Sequence, residues 1–136
     1  MTEPTGTPRP RPFNILIVDD AATMRALIRR VVALTEVPID NVFEARNGSE
    51  ALKTLEAEKV HAVFTDINMP VMNGPALLRE MAKREAWNGI LRIVISTDGS
   101  KLRRQEAREL LVSLYVEKPF RPEVVRDVLV QITSPA

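Results

Sequence analysis

Short apolar runs alternate with helical apolar patterns along the chain from Phe13 onward. The runs cover residues 13–18, 42–45, 60–65, 90–95 and 114–116. Because they are short and rich in Val and Ile, they are typical of strands that are buried on both faces of a parallel sheet. A strand followed by a helix, repeated five times, predicts a parallel sheet that carries helices on both faces.

Apolar spacing and capping signals predict where the helices lie. The first helix presents an apolar face made of Met24, Leu27, Ile28, Val31 and Val32. The second is predicted to end near Lys59. The third begins at Gly74-Pro75, because Pro suits the first helical position, and is predicted to stop at Asn88-Gly89. The fourth covers about residues 99–111, and the fifth begins at Pro122.

Length and composition predict one domain without covalent or membrane support. The chain has 136 residues, which favours a single domain. Residues 1–12 read as a Pro-rich, disordered tail and residues 13–133 as the domain, with no output domain expected after it. The absence of Cys excludes disulfides and thiolate metal sites.

Charge and hydropathy argue against nucleic acid and lipid membranes as partners. The net charge of +1 gives no overall attraction to nucleic acid or to anionic lipid. No apolar stretch approaches the ~20 residues that a membrane helix needs. A cytoplasmic protein is therefore expected.

Acidic residues follow two of the predicted strands directly. Asp19-Asp20 ends the first run and Asp66 ends the third, while Lys118 comes just after the fifth. A parallel sheet places its ligand site outside the carboxyl ends of its strands, so neighbouring first and third strands would bring the three carboxylates together. Two carboxylates ~4 Å apart repel by ~4 kcal/mol at an effective dielectric of ~20. The cluster therefore predicts a site for a divalent cation and a phosphoryl group.

Each of these residues also has a simpler interpretation. Asp20 could be only the N-cap of a helix that begins at Ala21, and Asp66 could cap a turn. Ser96 could be a capping hydroxyl, and Lys118 a solvated side chain. Their occurrence together, each at a strand end, favours the functional interpretation.

The ordered set of motifs resembles a CheY-type response-regulator receiver domain over residues 13–133. The resemblance rests on Asp19-Asp20, Asp66, the Met-Pro-x-Met-x-Gly loop at 69–74, Ser96, Tyr115 and Lys118-Pro119-Phe120. It implies an α/β fold of the flavodoxin-like type. That fold is a (βα)5 doubly wound, five-stranded parallel sheet with strand order 2-1-3-4-5.

The resemblance also assigns roles at the cluster. It implies that Asp66 is the phosphoacceptor and that Mg²⁺ is the cofactor. Asp20 and Asp66 would ligate the metal directly, the backbone carbonyl of Asn68 would supply a third oxygen, and Asp19 would act directly or through water. Mg²⁺ prefers such hard oxygen ligands.

Other residues are expected to contact or sense the phosphoryl group. By resemblance, the Ser96 hydroxyl and the Lys118 ammonium contact its oxygens, and Tyr115 turns inward as part of a switch. Three neighbouring residues are expected to tune access to Asp66 or hydrolysis of the acyl phosphate: Asn68, Thr97 and Asp98.

The function implied is that of a single-domain response regulator in two-component signalling. It would accept a phosphoryl group from a histidine kinase or a histidine phosphotransfer protein, and it would not be a turnover enzyme. Chemotaxis, a phosphorelay and a phosphate sink stay open as pathways. A Mg²⁺-dependent aspartyl-phosphate phosphohydrolase is one alternative, although its usual motif separates two Asp by one residue. A docking module that works without phosphorylation is another.

The expected output face is the fourth helix, the fifth strand and the fifth helix, which would bind a downstream protein. The basic residues of the fourth helix are Lys101, Arg103, Arg104 and Arg108. Nucleic acid is not an expected partner, because no recognition motif or stacking aromatic accompanies them. Segment 109–114 lacks the Gly that receivers commonly have there, so either the fourth helix is longer or this face docks a partner.

Overall fold

A computed structural model describes residues 13–96, 104–117 and 121–133, with backbone only for Ser96, Arg104 and residues 131–133. Five parallel strands form one sheet in the order β2-β1-β3-β4-β5. The strands are β1 Asn14–Val18, β2 Asn41–Ala45, β3 Ala62–Asp66, β4 Leu91–Ser96 and β5 Leu114–Glu117. The predicted fold and strand order are confirmed, and β1 and β3 are neighbours as the site requires.

Helices cover both faces of the sheet. They are α1 Ala22–Leu34, α2 Gly48–Ala57, α3 Gly74–Ala82, α4 Arg104–Glu109 and α5 Pro122–Thr133. The cores lie between the sheet and the helices, one with α1 and α5 and the other with α2 and α3. All residues of β1 and β3 are buried, which is why both read as continuous apolar runs. None of the described helices is long and apolar enough to cross a membrane.

The buried stripe of α1 is narrower than predicted. Ile28, Val31 and Val32 are buried, whereas Leu27 is 43% exposed. Packing against one sheet face and α5 covers only part of the helix circumference, and Leu27 lies outside that part.

The third helix ends six residues before the predicted stop at Asn88-Gly89. It finishes at Ala82, and a 3-10 helix follows at Glu85–Trp87. Arg84 takes an extended conformation that interrupts the helix, and its guanidinium stacks on the Trp87 ring, 4.1 Å from the centroid. Trp87, the last residue of the 3-10 helix, is buried.

Helix α4 ends at Glu109, so the option of a longer fourth helix is wrong. The N–H of Val112 donates to Ala107 O at 2.9 Å and the N–H of Leu111 to Arg108 O at 3.1 Å. These two bonds form a Schellman motif, in which the residue after the C-cap is left-handed. Leu111 takes that conformation, with φ 60°, where Gly is usual. Predicted helix residues 99–103 lie outside the described ranges.

Candidate functional site

The three acidic residues meet at the carboxyl ends of β1 and β3. The strand register pairs Val18 with Thr65, so that Asp19 and Asp66 leave the sheet side by side. One carboxylate oxygen from each of Asp19, Asp20 and Asp66 lies within 4.8 Å of the other two. The predicted convergence of these carboxylates is confirmed.

The backbone and side chain of Asp19 are held by the surrounding chain. Its N–H donates to Ala45 O at 3.0 Å, and its Oδ1 accepts from the N–H of Ala21 at 2.9 Å. Helix α1 begins at Ala22, with Ala21 as an N-cap that makes no side-chain capping bond. The interpretation of Asp20 as the N-cap is therefore wrong. Asp19 makes the local bond, and Asp20 is the exposed member of the cluster.

Asp66 is fixed by a tight turn at the end of β3. Its Oδ1 accepts from the N–H of the next residue, Ile67, at 2.7 Å, which orients the carboxylate. The N–H of Gly74 donates to Ile67 O at 2.9 Å, which brings the start of α3 against the end of the strand. A Cβ at Gly74 would lie 2.1 Å from Asp66 O, so this approach requires Gly.

The loop between Asp66 and α3 is anchored to α2. The N–H of Gly48 donates to Met72 O at 2.9 Å, and a Cβ at Gly48 would lie 2.7 Å from Met72 Cγ. Val71 lies at the tip with φ 70° and is 82% exposed, in a turn closed by the N–H of Met72 and Pro70 O at 2.7 Å. Such a γ-turn is strained for a β-branched residue. The loop is thus held at both ends around Asp66.

The cluster resists carrying its full negative charge. Burial raises the pKa of Asp19 to about 6, and the charges of Asp66 and Asp20 add to that rise. The N–H of Ala21 and the cation of Arg25 oppose it only in part. A carboxylate group of this kind favours either a proton or a cation. The oxygen donors present suit a hard divalent ion such as Mg²⁺.

Sequence reasoning missed a pair of residues beside the cluster, Arg25 and Glu44. Arg25 Nη1 donates to the backbone oxygen of Asp19 at 2.7 Å, and Arg25 Nε donates to Glu44 Oε1 at 2.8 Å. That hydrogen bond lowers the pKa of Glu44. The only signal in the sequence is that Arg25 falls in the first turn of a helix that begins just after Asp20.

The remaining predicted site residues are described only in part. Asn68 is exposed two residues beyond Asp66, and Tyr115 is half-buried against the core between the sheet and α2 and α3. The backbone of Ser96 ends β4 opposite Glu117, the residue before Lys118. Three predicted site residues lie outside the described ranges: Thr97, Asp98 and Lys118. The roles of all six stay predictions.

Sequence comparison matches most of the chain to one protein family. The family model of the response regulator receiver domain matches residues 15–130. A "Chemotaxis protein CheY homolog" of Campylobacter jejuni is 36% identical over 118 residues, 86% of this chain and 89% of its own length. "Chemotaxis protein CheY1" of Helicobacter pylori is 35% identical over 118 residues, 86% of this chain and 94% of its own.

Solved structures show the same fold. The REC domain of AraT, a response regulator from Geobacillus stearothermophilus, is 29% identical with a TM-score of 0.73, over 89% of this chain and 92% of that one. The chemotaxis protein CheY4 of Vibrio cholerae is 24% identical with a TM-score of 0.75, over 90% of this chain and 99% of that one.

Proposed function

Because the chain belongs to the response regulator receiver domain family, we propose that it is a single-domain response regulator that accepts a phosphoryl group on Asp66. The family consists of signalling regulators and not of turnover enzymes, and its members interact with histidine kinases or phosphotransfer proteins. The observation that carries the proposal is the meeting of three carboxylates within 4.8 Å at the ends of two adjacent strands.

Receiver domains bind Mg²⁺ at an acidic pocket, and the cluster supports the same use here. Asp19, Asp20 and Asp66 would hold the ion, with the backbone carbonyl of Asn68 as a further oxygen donor. When bound, Mg²⁺ supplies positive charge that offsets the negative charge of the phosphoryl oxygens. The raised pKa of Asp19 supports this assignment, because burial, and after it the charges of Asp66 and Asp20, disfavour the bare carboxylate that a cation would neutralise.

In the proposed reaction, a carboxylate oxygen of Asp66 attacks the phosphorus of a phosphohistidine. A P–O bond forms and the P–N bond breaks, and its electron pair returns to the imidazole nitrogen of the donor, which then takes up a proton. Such transfers depend on in-line positioning and charge neutralisation. The bond from the N–H of Ile67 and the close approach of Gly74 hold Asp66 in place, which supports its role as acceptor. Ser96 and Lys118 would contact the other phosphoryl oxygens.

Phosphorylation would then change the face formed by α4, β5 and α5. Tyr115 would move further into the molecule as Ser96 and Lys118 are drawn toward the new group. Its half-buried position on β5, the strand next to the one that ends at Ser96, supports this route. In the cytoplasm, this face would bind a downstream protein, or the phosphoryl group would pass on to a second histidine protein.

Labelling with a small phosphodonor tests the proposal. Incubation with phosphoramidate and Mg²⁺ should add one phosphoryl group, placed on Asp66 by peptide mass spectrometry. Labelling should disappear with EDTA and in Asp66→Asn. An unlabelled wild type, or an equally labelled Asp66→Asn, would overturn the proposal. Sustained turnover of a generic phosphomonoester would favour a phosphohydrolase instead.

A further inference from the structure

Arg25 joins the loop that carries the acidic cluster to the edge strand of the sheet. Its Nη1 donates to Asp19 O at 2.7 Å while its Nε donates to Glu44 Oε1 on β2 at 2.8 Å. The Arg25 side chain is only 14% exposed. A guanidinium offers several donors in a rigid fork, so one side chain can hold a carbonyl and a carboxylate at once.

The contact with Asp19 completes the fixing of that residue. Its N–H is held by Ala45 O, its carboxylate by the N–H of Ala21, and its carbonyl by Arg25. The carbonyl belongs to the peptide group that joins Asp19 to Asp20, and a peptide group is planar. Fixing that carbonyl therefore also fixes where the Asp20 backbone begins.

We infer that Arg25, held in place by Glu44, is a positioning residue that orients Asp20 toward the metal ion. The inference rests on the proposed function, since it assigns a role at the same Mg²⁺ site. Asp20 is the exposed member of the cluster, and the N-capping bond that could have oriented its side chain is not made. The backbone position that Arg25 fixes then sets where the Asp20 carboxylate can reach.

Glu44 sets the direction of the Arg25 side chain. Its Oε1 accepts from Arg25 and its Oε2 from Arg29 Nε at 2.9 Å, so both oxygens bind cations of α1. The negative charge of Glu44 also offsets the positive charge of one of the two guanidinium groups that it binds. Loss of Glu44 would leave Arg25 free to swing away from Asp19.

A purely electrostatic role makes a different prediction from positioning. Removal of the Arg25 cation alone would strengthen attraction of Mg²⁺ to the carboxylates, because a like charge is lost nearby. Loss of the positioning bond would weaken Mg²⁺ binding. The sign of the change in Arg25→Met therefore separates the two roles.

The test is an NMR titration of the backbone amides with Mg²⁺ alone. For Arg25→Met and Glu44→Met we expect about tenfold weaker Mg²⁺ affinity. This is the change expected if the whole free energy of one charge-assisted hydrogen bond contributes to Mg²⁺ binding. The Mg²⁺ affinity of Arg25→Lys should also be weaker than that of wild type, because one ammonium cannot hold both Asp19 and Glu44 in the same fork geometry. The amide spectrum of each metal-free variant reports whether it is folded.

Arg29→Met is the matched control. It removes the same charge and the other ion pair of Glu44 from the same helix, but Arg29 is 49% exposed and makes no hydrogen bond to Asp19. Its Mg²⁺ affinity should stay within about twofold of wild type, since exposed pairs contribute little.

The outcomes separate the inference from the proposed function. Unchanged or tighter binding in Arg25→Met, full recovery in Arg25→Lys, or an equal loss in Arg29→Met would overturn the positioning role and leave the metal site intact. No saturable binding in wild type would instead overturn the metal site itself.

Discussion

Asp19 and Asp66 lie side by side at the ends of adjacent parallel strands, with carboxylate oxygens within 4.8 Å of each other. Asp19 is buried there, and burial together with the neighbouring charges raises its pKa to about 6 from 3.8. The metal-free protein therefore binds a proton at this site more tightly when folded than when unfolded, which links stability to pH.

The first prediction concerns that linkage. The contribution of Asp19 to stability is fully present below about pH 4 and is lost as the pH rises through about 6, a total of roughly 2 to 3 kcal/mol. Asp19→Asn keeps an oxygen for the N–H of Ala21 and carries no charge. In urea unfolding with EDTA, it should be more stable than wild type by about that amount at neutral pH and by little near pH 4.

Two results bear against this prediction. One is a difference between Asp19→Asn and wild type that is the same at both pH values. The other is a result with the metal. Mg²⁺ should stabilise wild type at neutral pH, because it binds only the folded state. Equal stabilisation of Asp19→Asn by Mg²⁺ would show that Asp19 has no part in the site.

The second prediction concerns the turn after Asp66. Gly74→Ala would place a methyl group 2.1 Å from Asp66 O, a backbone atom that cannot yield without moving the strand end. We expect a loss of about 1 to 3 kcal/mol in the free energy of unfolding, the usual cost of overpacking, together with slower labelling of Asp66 by phosphoramidate.

Gly89→Ala is the matched control for that variant. A Cβ at Gly89 meets nothing within 4 Å, so stability and labelling rate should match wild type. Equal behaviour of the two alanine variants would contradict the close approach of Gly74 to Asp66.

The third prediction concerns the end of α4. Leu111 is left-handed and exposed at the position of the Schellman motif that Gly usually fills. Leu111→Gly should raise the free energy of unfolding by about 1 kcal/mol, because the left-handed conformation costs an L-residue about 1 to 2 kcal/mol and Gly loses part of this gain to chain entropy.

Leu111→Ala separates backbone strain from loss of the side chain. It removes most of the same side chain but keeps the Cβ, so thermal unfolding should show no comparable gain. A gain of equal size in both variants would show that exposure of the Leu side chain, and not its backbone conformation, is the cause.

Much of the fold could be predicted because its central strands β1 and β3 are buried on both faces. The residues of β1 and those of β3 before Asp66 are almost all apolar, and the acids that come next, Asp19 and Asp66, mark the carboxyl edge of the sheet. With Asp66 at the end of β3, the cluster follows from strand order alone. Parallel pairing brings strand ends together whatever the details of the loops.

Residues whose environment depends on tertiary packing could not be predicted. Arg92 lies in a predicted strand and is fully buried, with Nη1 bound to Ile90 O at 3.1 Å and Nη2 to Trp87 O at 3.2 Å. Arginine is almost never fully buried unless it is paired, so its sequence gives no reason to expect this burial. Even here, the Nε atom of Arg92 has no hydrogen-bond partner within the described ranges. Leu27 is the opposite case, an apolar residue with helical spacing that is 43% exposed.

The link between Arg25 and Glu44 shows the same limit at the site. Their contact joins α1 to β2 across 19 positions of sequence, and no local rule relates a helix residue to an edge-strand residue. The acids could be found because each follows a strand. The residues that orient them could be found only after the helix was packed on the sheet.

The central claim is that one divalent ion binds between the ends of β1 and β3. Paramagnetic Mn²⁺ prefers similar oxygen ligands and broadens the NMR signals of nearby amides, so it reports the site directly. At low Mn²⁺ occupancy, the amides of residues 19–21 and 66–68 should broaden first, Ile90 near the amino end of β4 should stay sharp, and excess Mg²⁺ should restore the lost signals. Signals at 19–21 and 66–68 that stay sharp while others broaden, or broadening that Mg²⁺ does not reverse, would contradict the claim.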